Sequence, residues 1–141
     1  MTAEGIIAAL GLARHPEGGW YRQTWAEDTP AGQRPTGTAI LFLLPGHEIS
    51  RWHRVDATEI WHYHAGAPIN LTMAPQDSGP AVDHALGPDL LAGEMPQLIV
   101  PAGYWQTARS TGAWTLVSCT VSPGFRFDGF EMAPPGFDIP R

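Results

Sequence analysis

Short runs of alternating apolar and polar residues cover most of this chain. Large apolar side chains recur at every second position in several of them, as at Ile69, Leu71 and Met73. A period of two residues is typical of β-strands that have one buried face. Glycine and proline, which favour turns, stand between the runs. The pattern predicts strands at 20–25, 38–44, 48–54, 58–64, 69–73, 81–86, 98–100, 113–121 and 125–130.

One segment near the N-terminus has a helical period instead. Ile6, Ile7 and Leu10 fall on one face of a helix, and Thr2 before them is a favourable N-cap residue. Gly11 can end the helix because glycine readily adopts the left-handed conformation. The sequence therefore predicts a single short N-terminal helix.

Composition agrees with an all-β fold. The chain has 141 residues, of which 43% are hydrophobic, so it can bury a core as one domain spanning residues 1–141. Its 16 glycines and 14 prolines are spread along the chain, as expected for many short strands joined by tight turns. This combination favours an antiparallel double-sheet or closed fold such as a jelly roll.

Charge and apolar content exclude several classes of partner. The formal net charge is -6 and no basic stripe is present, so we expect no nucleic-acid partner. The longest apolar run, 39–44, is too short to span a bilayer, and no signal peptide is visible, so we expect no membrane partner. A single cysteine, Cys119, excludes an intramolecular disulfide, and we expect a cytoplasmic protein with an inert, buried thiol.

Candidate chemistry is concentrated in the predicted strands at 48–54 and 58–64. Strict alternation places Glu59, Trp61 and Tyr63 on one face of the second strand, with His62 and His64 on the opposite face, where they could contact another subunit. On the same logic, Arg51 and His53 share a face of the first strand, with Trp52 and Arg54 opposite. The turn segment 15–19 carries Glu17, which could be a second acidic group near the mouth of a pocket. A turn carboxylate is more often solvated, and this is the favoured interpretation.

Two motifs in the middle of the chain resemble those of the cupin superfamily. The first runs from Gly46 through His53 and Glu59 to Gly66, and the second is the segment 101–106, which ends at Gln106. The sequence departs from the superfamily pattern at two positions that are histidine in the motifs. Val55 stands at one of them and Gln106 at the other.

Four ordered stretches, 15–21, 56–66, 100–106 and 119–125, also resemble the Cupin_5 family, known as DUF985. The resemblance implies a cupin double-stranded β-helix, which is a jelly-roll barrel, and a homodimer with an aromatic and polar pocket in each barrel. It implies that His53, Glu59 and Gln106 meet at the floor of this pocket. Trp61, Tyr63 and Trp105 would then line its walls.

A metal site is one use of these residues. Imidazole and carboxylate suit a divalent transition metal such as Zn, Ni, Fe or Mn, and His53, Glu59 and Gln106 are the candidate ligands. An amide oxygen is a weaker ligand than imidazole, and Val55 supplies none, so we expect loose binding. The alternative is a polar cluster without metal in which Gln106 and Glu59 hydrogen-bond each other or His53.

A metal-free active site is the second use. His53 would act as the base, Glu59 or Asp56 would orient it, and Tyr63 would be an acid. Arg51 or Arg54 would hold an anionic group. These roles predict an epimerase or isomerase that acts on a sugar or keto-acid derivative.

The alternative is a module that binds a small molecule without turnover, with Trp61, Trp105 and Gln106 as contacts. A third interpretation makes the polar cluster structural. Phe125 and Phe127 are interpreted as core residues rather than pocket walls.

Overall fold

The computed structural model describes residues 1–141 and is built mainly from antiparallel strands. Its helix is α1 (Ala3–Leu10), and its strands are β1 (Ala13–Arg14), β2 (Trp20–Ala26), β3 (Thr38–Pro45), β4 (Ile49–Val55), β5 (Thr58–Gly66), β6 (Ile69–Ala74), β7 (Val82–Leu86), β8 (Gln97–Val100), β9 (Trp105–Ser110), β10 (Trp114–Ser122) and β11 (Phe130–Met132). Two 3₁₀ turns, Leu90–Ala92 and Phe127–Gly129, complete the set.

The strands form two sheets that enclose one core. The six-stranded sheet has the order β1-β2-β3-β10-β5-β8, and the five-stranded sheet has the order β11-β4-β9-β6-β7. The paired strands within both sheets are antiparallel. The strands from β3 to β6 alternate between the two sheets. Two facing antiparallel sheets connected in this way make a jelly-roll barrel, so the predicted fold class is confirmed.

The N-terminal helix forms as predicted. The Thr2 hydroxyl accepts a hydrogen bond from the Gly5 amide at 3.0 Å, and Gly11 ends the helix with a φ of 65°. Ile6 is buried together with Leu12 and Leu43, so α1 packs on the outer face of the six-stranded sheet. No helix here is long and apolar enough to cross a membrane.

Two of the longer segments differ from the strand predictions. β9 was not predicted because its inward side chains, Gln106, Ala108 and Ser110, are polar or small and give no apolar alternation. The strand predicted at 125–130 is wrong. That segment forms a 3₁₀ turn followed by β11, and the Phe125 amide donates to the side-chain hydroxyl of Thr38 at 2.9 Å and not to a backbone carbonyl of a β-ladder.

Large apolar side chains fill most of the space between the sheets. Phe42 and Trp61 pack edge to face with ring centroids 5.8 Å apart, and Leu71 and Val117 are buried in the same cluster. A second cluster, which includes Trp52, Trp105 and Ile139, covers the outer face of the five-stranded sheet with the C-terminal segment. The polar inward side chains therefore gather where this packing stops.

Candidate active site

A cavity of about 140 Å³ lies between the two sheets and holds two histidines and two glutamates. These are His15, Glu17, His53 and Glu59, and all four are buried. No lysine or arginine lines the cavity. The remaining wall is mostly aromatic and aliphatic, with the polar side chains of Gln23 and Thr38 among the phenylalanines and Tyr21. The cavity therefore combines acid–base groups with apolar surface and lacks a positive charge that could hold an anion.

A register shift in β4 directs His53 into the cavity. Ser50 pairs with Ala108 of β9, whereas His53 pairs with Gln106, so two residues of β4 lie opposite one residue of β9. The Thr107 hydroxyl supports this irregularity by donating to the Ser50 carbonyl at 2.7 Å. Ser50 and His53 therefore both face inward although they are three positions apart.

Hydrogen bonding fixes the tautomer of His53. Its Nδ1 lies 2.6 Å from the carbonyl oxygen of Arg51, which can only accept a hydrogen bond. Nδ1 must therefore carry a proton, and in the neutral ring Nε2 has a free lone pair. Burial lowers the pKa of His53, and the nearby carboxylate of Glu59 partly opposes this effect. The geometry gives a neutral imidazole whose Nε2 can accept a proton.

The turn at 15–19 carries Glu17 into the same cavity. The Arg51 amide donates to the Glu17 carbonyl oxygen at 2.7 Å, which joins the turn to β4. Gly18 and Gly19 have φ angles of 108° and 79°, values that favour glycine. A Cβ on Gly18 would overlap the carbonyl oxygen of Ile49. The glycine pair thus allows the close backbone approach by which Glu17 enters the barrel.

Glu17 has mixed hydrogen-bonding surroundings. The Ser50 hydroxyl donates to its Oε2. Its Oε1 lies 3.3 Å from Nδ1 of His15 and 3.6 Å from Nε2 of His53. Burial raises the pKa of Glu17 to about 8, and the bond from Ser50 opposes that rise. Glu17 therefore favours its protonated form at neutral pH.

Glu59 is surrounded by donors. Its Oε1 accepts a hydrogen bond from the amide nitrogen of Gln106 at 2.7 Å, and the Cys119 thiol lies near this carboxyl group and favours its ionised form. The indole N–H of Trp61 donates to Gln106 Oε1 at 2.9 Å. Because an indole nitrogen can only donate, this bond orients the Gln106 amide with its NH₂ group toward Glu59. Burial raises the pKa of Glu59 to about 7, while His53 and these donors favour its ionised form.

His15 is a neutral imidazole next to Glu17. Its Nδ1 accepts the backbone amide of Glu17 at 3.1 Å, so this nitrogen carries a lone pair. Burial, and next the proximity of His53, lower the pKa of His15 to about 4. The ring also packs edge-on against Tyr21, with centroids 4.5 Å apart. His15 therefore gives the cavity a second imidazole lone pair rather than a charge.

Three of the predicted site residues do meet. His53 and Gln106 are direct partners across β4 and β9, and Gln106 bonds to Glu59. Trp61 is buried beneath them, with an exposed fraction of 1%, and reaches the site through its bond to Gln106 rather than by lining the cavity. The polar cluster interpreted from the sequence is thus present, and the chemical roles of these residues remain predictions.

Three other residues predicted for the site do not line this cavity. Tyr63 faces inward but lies four residues along β5 from Glu59, about 13 Å at the usual strand rise, and its hydroxyl donates to the Gly66 carbonyl at 2.6 Å. Arg51 does not line the cavity because the register shift in β4 breaks the alternation with His53. Trp105 lies on the outer face of its sheet, stacked against Phe137 with centroids 4.9 Å apart.

The side chains on the outer face of β5 lie where alternation places them. His62 bonds to the Thr120 hydroxyl at 3.1 Å, and His64 bonds to the Ser118 hydroxyl. Neither histidine lines the cavity.

Sequence reasoning missed several cavity residues. Glu17 was interpreted as solvated and His15 as part of a turn, although the glycine pair after them indicated a close backbone approach. Phe125 and Phe127 were interpreted as core, yet both line the cavity, and Phe127 is 53% exposed at its edge. These residues come from segments between regular elements, where alternation gives no information about direction.

Comparison with known proteins identifies relatives of this chain. The family model Cupin_5, described as cupin superfamily (DUF985), matches residues 4–133. A crystal structure of a Shewanella oneidensis protein is 38% identical with a TM-score of 0.88, and the match covers 94% of this chain and 85% of that one. A hypothetical protein from Leishmania major is 31% identical with a TM-score of 0.84, covering 97% of this chain and 90% of that one.

A more distant likeness shows the fold alone. Oxalate decarboxylase from Bacillus subtilis is 14% identical with a TM-score of 0.64, and the match covers 84% of this chain and 29% of that one. That enzyme has Mn(II) centres. A search of curated proteins finds no match.

The predicted ligand set of His53, Glu59 and Gln106 does not fit a divalent metal, and Gln106 lies behind Glu59 without lining the cavity. The oxygen of Gln106 is directed to the Trp61 indole, and its NH₂ group, which cannot bind a metal cation, faces Glu59. Val55 lines the cavity with a hydrocarbon side chain. No group of three or more His, Cys, Asp and Glu side chains is arranged to hold a metal ion. The ligand set predicted from the sequence therefore lacks its third donor.

We expect metal loading to remain far below one ion per chain. Tag-free protein would be treated with chelator, reloaded with Zn, Ni, Fe(II) or Mn, desalted and measured by mass spectrometry. Glu59→Ala should bind no less metal than the wild type. Near-stoichiometric metal that is lost in Glu59→Ala would contradict this interpretation of Gln106 and establish the metal site.

Gly18→Ala should strongly destabilise the fold because the new Cβ would meet the Ile49 backbone. Gly32→Ala is the matched control, since Gly32 also has a positive φ but no atom within 4 Å of the added carbon. The control should lose about 1 kcal/mol from backbone strain alone, and Gly18→Ala should lose at least twice that amount. Urea unfolding measures both. Equal losses would show that the turn does not need the close approach.

Glu17→Gln should flatten the pH dependence of stability. The unfolded chain loses the Glu17 proton near its ordinary pKa of 4.5, whereas the folded protein retains it until about pH 8. Between these values the folded state binds more protons, so wild-type stability falls as pH rises, by at most about 1.4 kcal/mol per pH unit from this group. In Glu17→Gln this contribution is absent.

The free energy of unfolding of Glu17→Gln relative to wild type should therefore become more favourable from pH 5 to pH 8. Denaturant unfolding at each pH measures it, with the exposed Glu131→Gln as control. A difference that is independent of pH would mean that Glu17 is ionised throughout.

Proposed function

Because this chain belongs to the Cupin_5 family of the cupin superfamily, we propose that its cavity is the active site of a proton-transfer enzyme. The reaction is an isomerisation or epimerisation of a small, uncharged hydroxycarbonyl compound such as a short sugar. One observation carries the proposal. His53 is buried, its tautomer leaves Nε2 free, and this nitrogen faces a cavity rather than a permanent partner.

The reaction begins when His53 Nε2 takes the proton from the carbon beside a carbonyl group. The electron pair of the broken C–H bond forms a C=C bond, and the carbonyl oxygen becomes an enolate oxygen that needs a proton. His53 becomes an imidazolium ion, which the carboxylate of Glu59 stabilises. Return of a proton to the same carbon, or to its neighbour, completes an epimerisation or an isomerisation.

The size and charge of the cavity support a small neutral substrate. Its volume of about 140 Å³ is below the range of roughly 300–1,000 Å³ common for drug-sized ligands. A free carboxylate on the ligand would meet Glu17 and Glu59 with no arginine or lysine to balance it. Of the two substrate classes predicted from the sequence, the cavity therefore favours a short sugar over a keto acid.

Non-catalytic binding is the second candidate function, and the aromatic wall favours it. Phe125, Phe127 and Phe130 pack edge to face with one another, with centroids 4.9 to 6.0 Å apart, and offer rigid apolar surface at little entropic cost. Such a site would show saturable binding and an increase in Tm with ligand, without product.

Deuterium exchange tests the proposed function without knowledge of the natural substrate. The protein would be incubated in D₂O with glyceraldehyde, dihydroxyacetone, erythrose or erythrulose, with pyruvate as the anionic comparison. Proton NMR would follow loss of the C–H signal beside the carbonyl. We expect exchange with at least one neutral probe, reduced at least about 100-fold in His53→Gln.

His47→Gln is the control because His47 lies in an exposed turn. It should retain full exchange, and all variants would be checked for an unchanged fold. Saturable binding of a probe without exchange would contradict the proposed enzyme and support the non-catalytic binding module. Equal exchange in His53→Gln would remove His53 from the base role.

A further inference from the structure

The mechanism lacks an acid, because Tyr63, the acid expected from the sequence, bonds to Gly66 outside the cavity. The enolate oxygen needs a proton from a group close to His53. Glu17 is such a group. It reaches the cavity from a turn that lies outside both cupin-like motifs, and its Oε1 is 3.6 Å from His53 Nε2.

The atoms around Glu17 Oε1 favour the protonated form of this carboxyl group. Nδ1 of His15 accepts a backbone amide, and Nε2 of His53 is unprotonated in the tautomer set by Arg51. The lone pair of His53 Nε2 lies 3.6 Å from Glu17 Oε1. Nδ1 of His15 lies 3.3 Å from the same oxygen, but its lone pair accepts the Glu17 backbone amide and it carries no N–H. Neither nitrogen can donate a hydrogen bond to an ionised carboxylate, whereas a carboxylic acid can direct its O–H toward Nε2 of His53. Ser50 supplies the donor for Oε2 and leaves Oε1 to carry the proton.

The surroundings of Glu59 differ from those of Glu17 in the same cavity. Glu59 receives a hydrogen bond from the Gln106 NH₂ group at 2.7 Å, and the nearby Cys119 thiol also favours its ionised form, so its surroundings suit a carboxylate better than those of Glu17 do. The two acidic side chains share one cavity but have complementary environments. Such a difference separates the roles of two carboxyl groups in acid–base sites.

We propose that Glu17 is the catalytic acid of this site, whose resting proton lies on its carboxyl group and passes to the carbonyl oxygen of the ligand. This inference rests on the proposed function and adds the partner of His53. Two atoms 3.6 Å apart can both lie within hydrogen-bond distance, about 2.8 Å, of one ligand oxygen or of adjacent ligand atoms.

The proton balance closes between the two residues. The ligand carbon gives its proton to His53 Nε2, and Glu17 gives its O–H proton to the carbonyl oxygen, which yields an enediol, an imidazolium and a Glu17 carboxylate. Returning the His53 proton to carbon and an enediol hydroxyl proton to Glu17 restores both groups. No oxidant, reductant or further reactant is required.

Glu17→Gln is the informative variant. A glutamine can accept the hydrogen bond from Ser50 and can direct an N–H toward Nε2 of His53, as a protonated glutamate would direct its O–H, but it cannot give up a proton at this pH. We expect the variant to fold normally at pH 7 and to lose at least about 30-fold in deuterium exchange with the probe that the wild type uses. Glu131→Gln, on the surface, should retain full exchange.

Infrared difference spectroscopy locates the proton independently of activity. The wild type at pH 7 should show a protonated carboxyl band in the C=O stretching region that is weaker in Glu17→Gln, where Glu59 alone of the cavity carboxyl groups can contribute, and unchanged in Glu131→Gln. The exchange rate of the wild type should also fall at high pH, where Glu17 ionises, and this fall should be missing from the residual activity of Glu17→Gln.

The outcomes separate the two proposals. Exchange by the wild type and within threefold of that rate by Glu17→Gln would overturn the acid role and leave the proposed function intact. Absence of the carboxyl band in the wild type would overturn the assignment of the proton. No exchange by the wild type with any probe would remove the proposed function and the catalytic role together, while the band would still decide where the proton lies.

Discussion

Two buried carboxyl groups share a cavity that contains no positively charged side chain, and the site depends on this constraint. An ionised carboxylate buried without compensation is costly, so each group must be neutral or surrounded by donors. Glu59 has a donor in the Gln106 amide, and the Cys119 thiol also favours its ionised form. Glu17 has one donor, Ser50, and faces the lone pair of His53 Nε2, and its raised pKa of about 8 follows from its burial. The surroundings therefore favour the protonated form more strongly for Glu17 than for Glu59.

Two irregular backbone segments, and not the regular strands, position the side chains of this site. The register shift in β4 lets Ser50 and His53 face the same side, and the glycine pair at 18–19 lets the N-terminal turn approach β4. The hydrogen bond from the Arg51 amide to the Glu17 carbonyl connects these two points. The same residue, Arg51, accepts the Nδ1 proton of His53 through its carbonyl oxygen. One backbone unit thus positions both members of the proposed acid–base pair, although the Arg51 side chain lies outside the cavity.

The sequence predicted the parts of the structure that repeat regularly. Alternation located most strands and the inward direction of Glu59, and the cupin-like motifs brought His53, Glu59 and Gln106 together. Strict alternation failed for Arg51, since a register shift leaves no clear signal in the apolar pattern. For Tyr63 alternation gave the correct, inward face, but the residue lies too far along β5 from Glu59 to reach the cavity. Glu17 was missed because the direction of a turn depends on tertiary contacts.

The two departures from the superfamily motif have linked consequences for the chemistry of the cavity. Val55 replaces a possible nitrogen ligand with hydrocarbon, and Gln106 presents its NH₂ group because the Trp61 indole requires the amide oxygen. A donor in that position supports a negative charge on Glu59 instead of competing with it for a cation. The lone pair of His53 Nε2 then has no metal ion to bind. The carboxyl oxygen that lies 3.6 Å from it and can exchange a proton with it belongs to Glu17. The same barrel position that suits chelation in the motif thus suits proton transfer in this chain, which is the basis for assigning the base to His53 and the acid to Glu17.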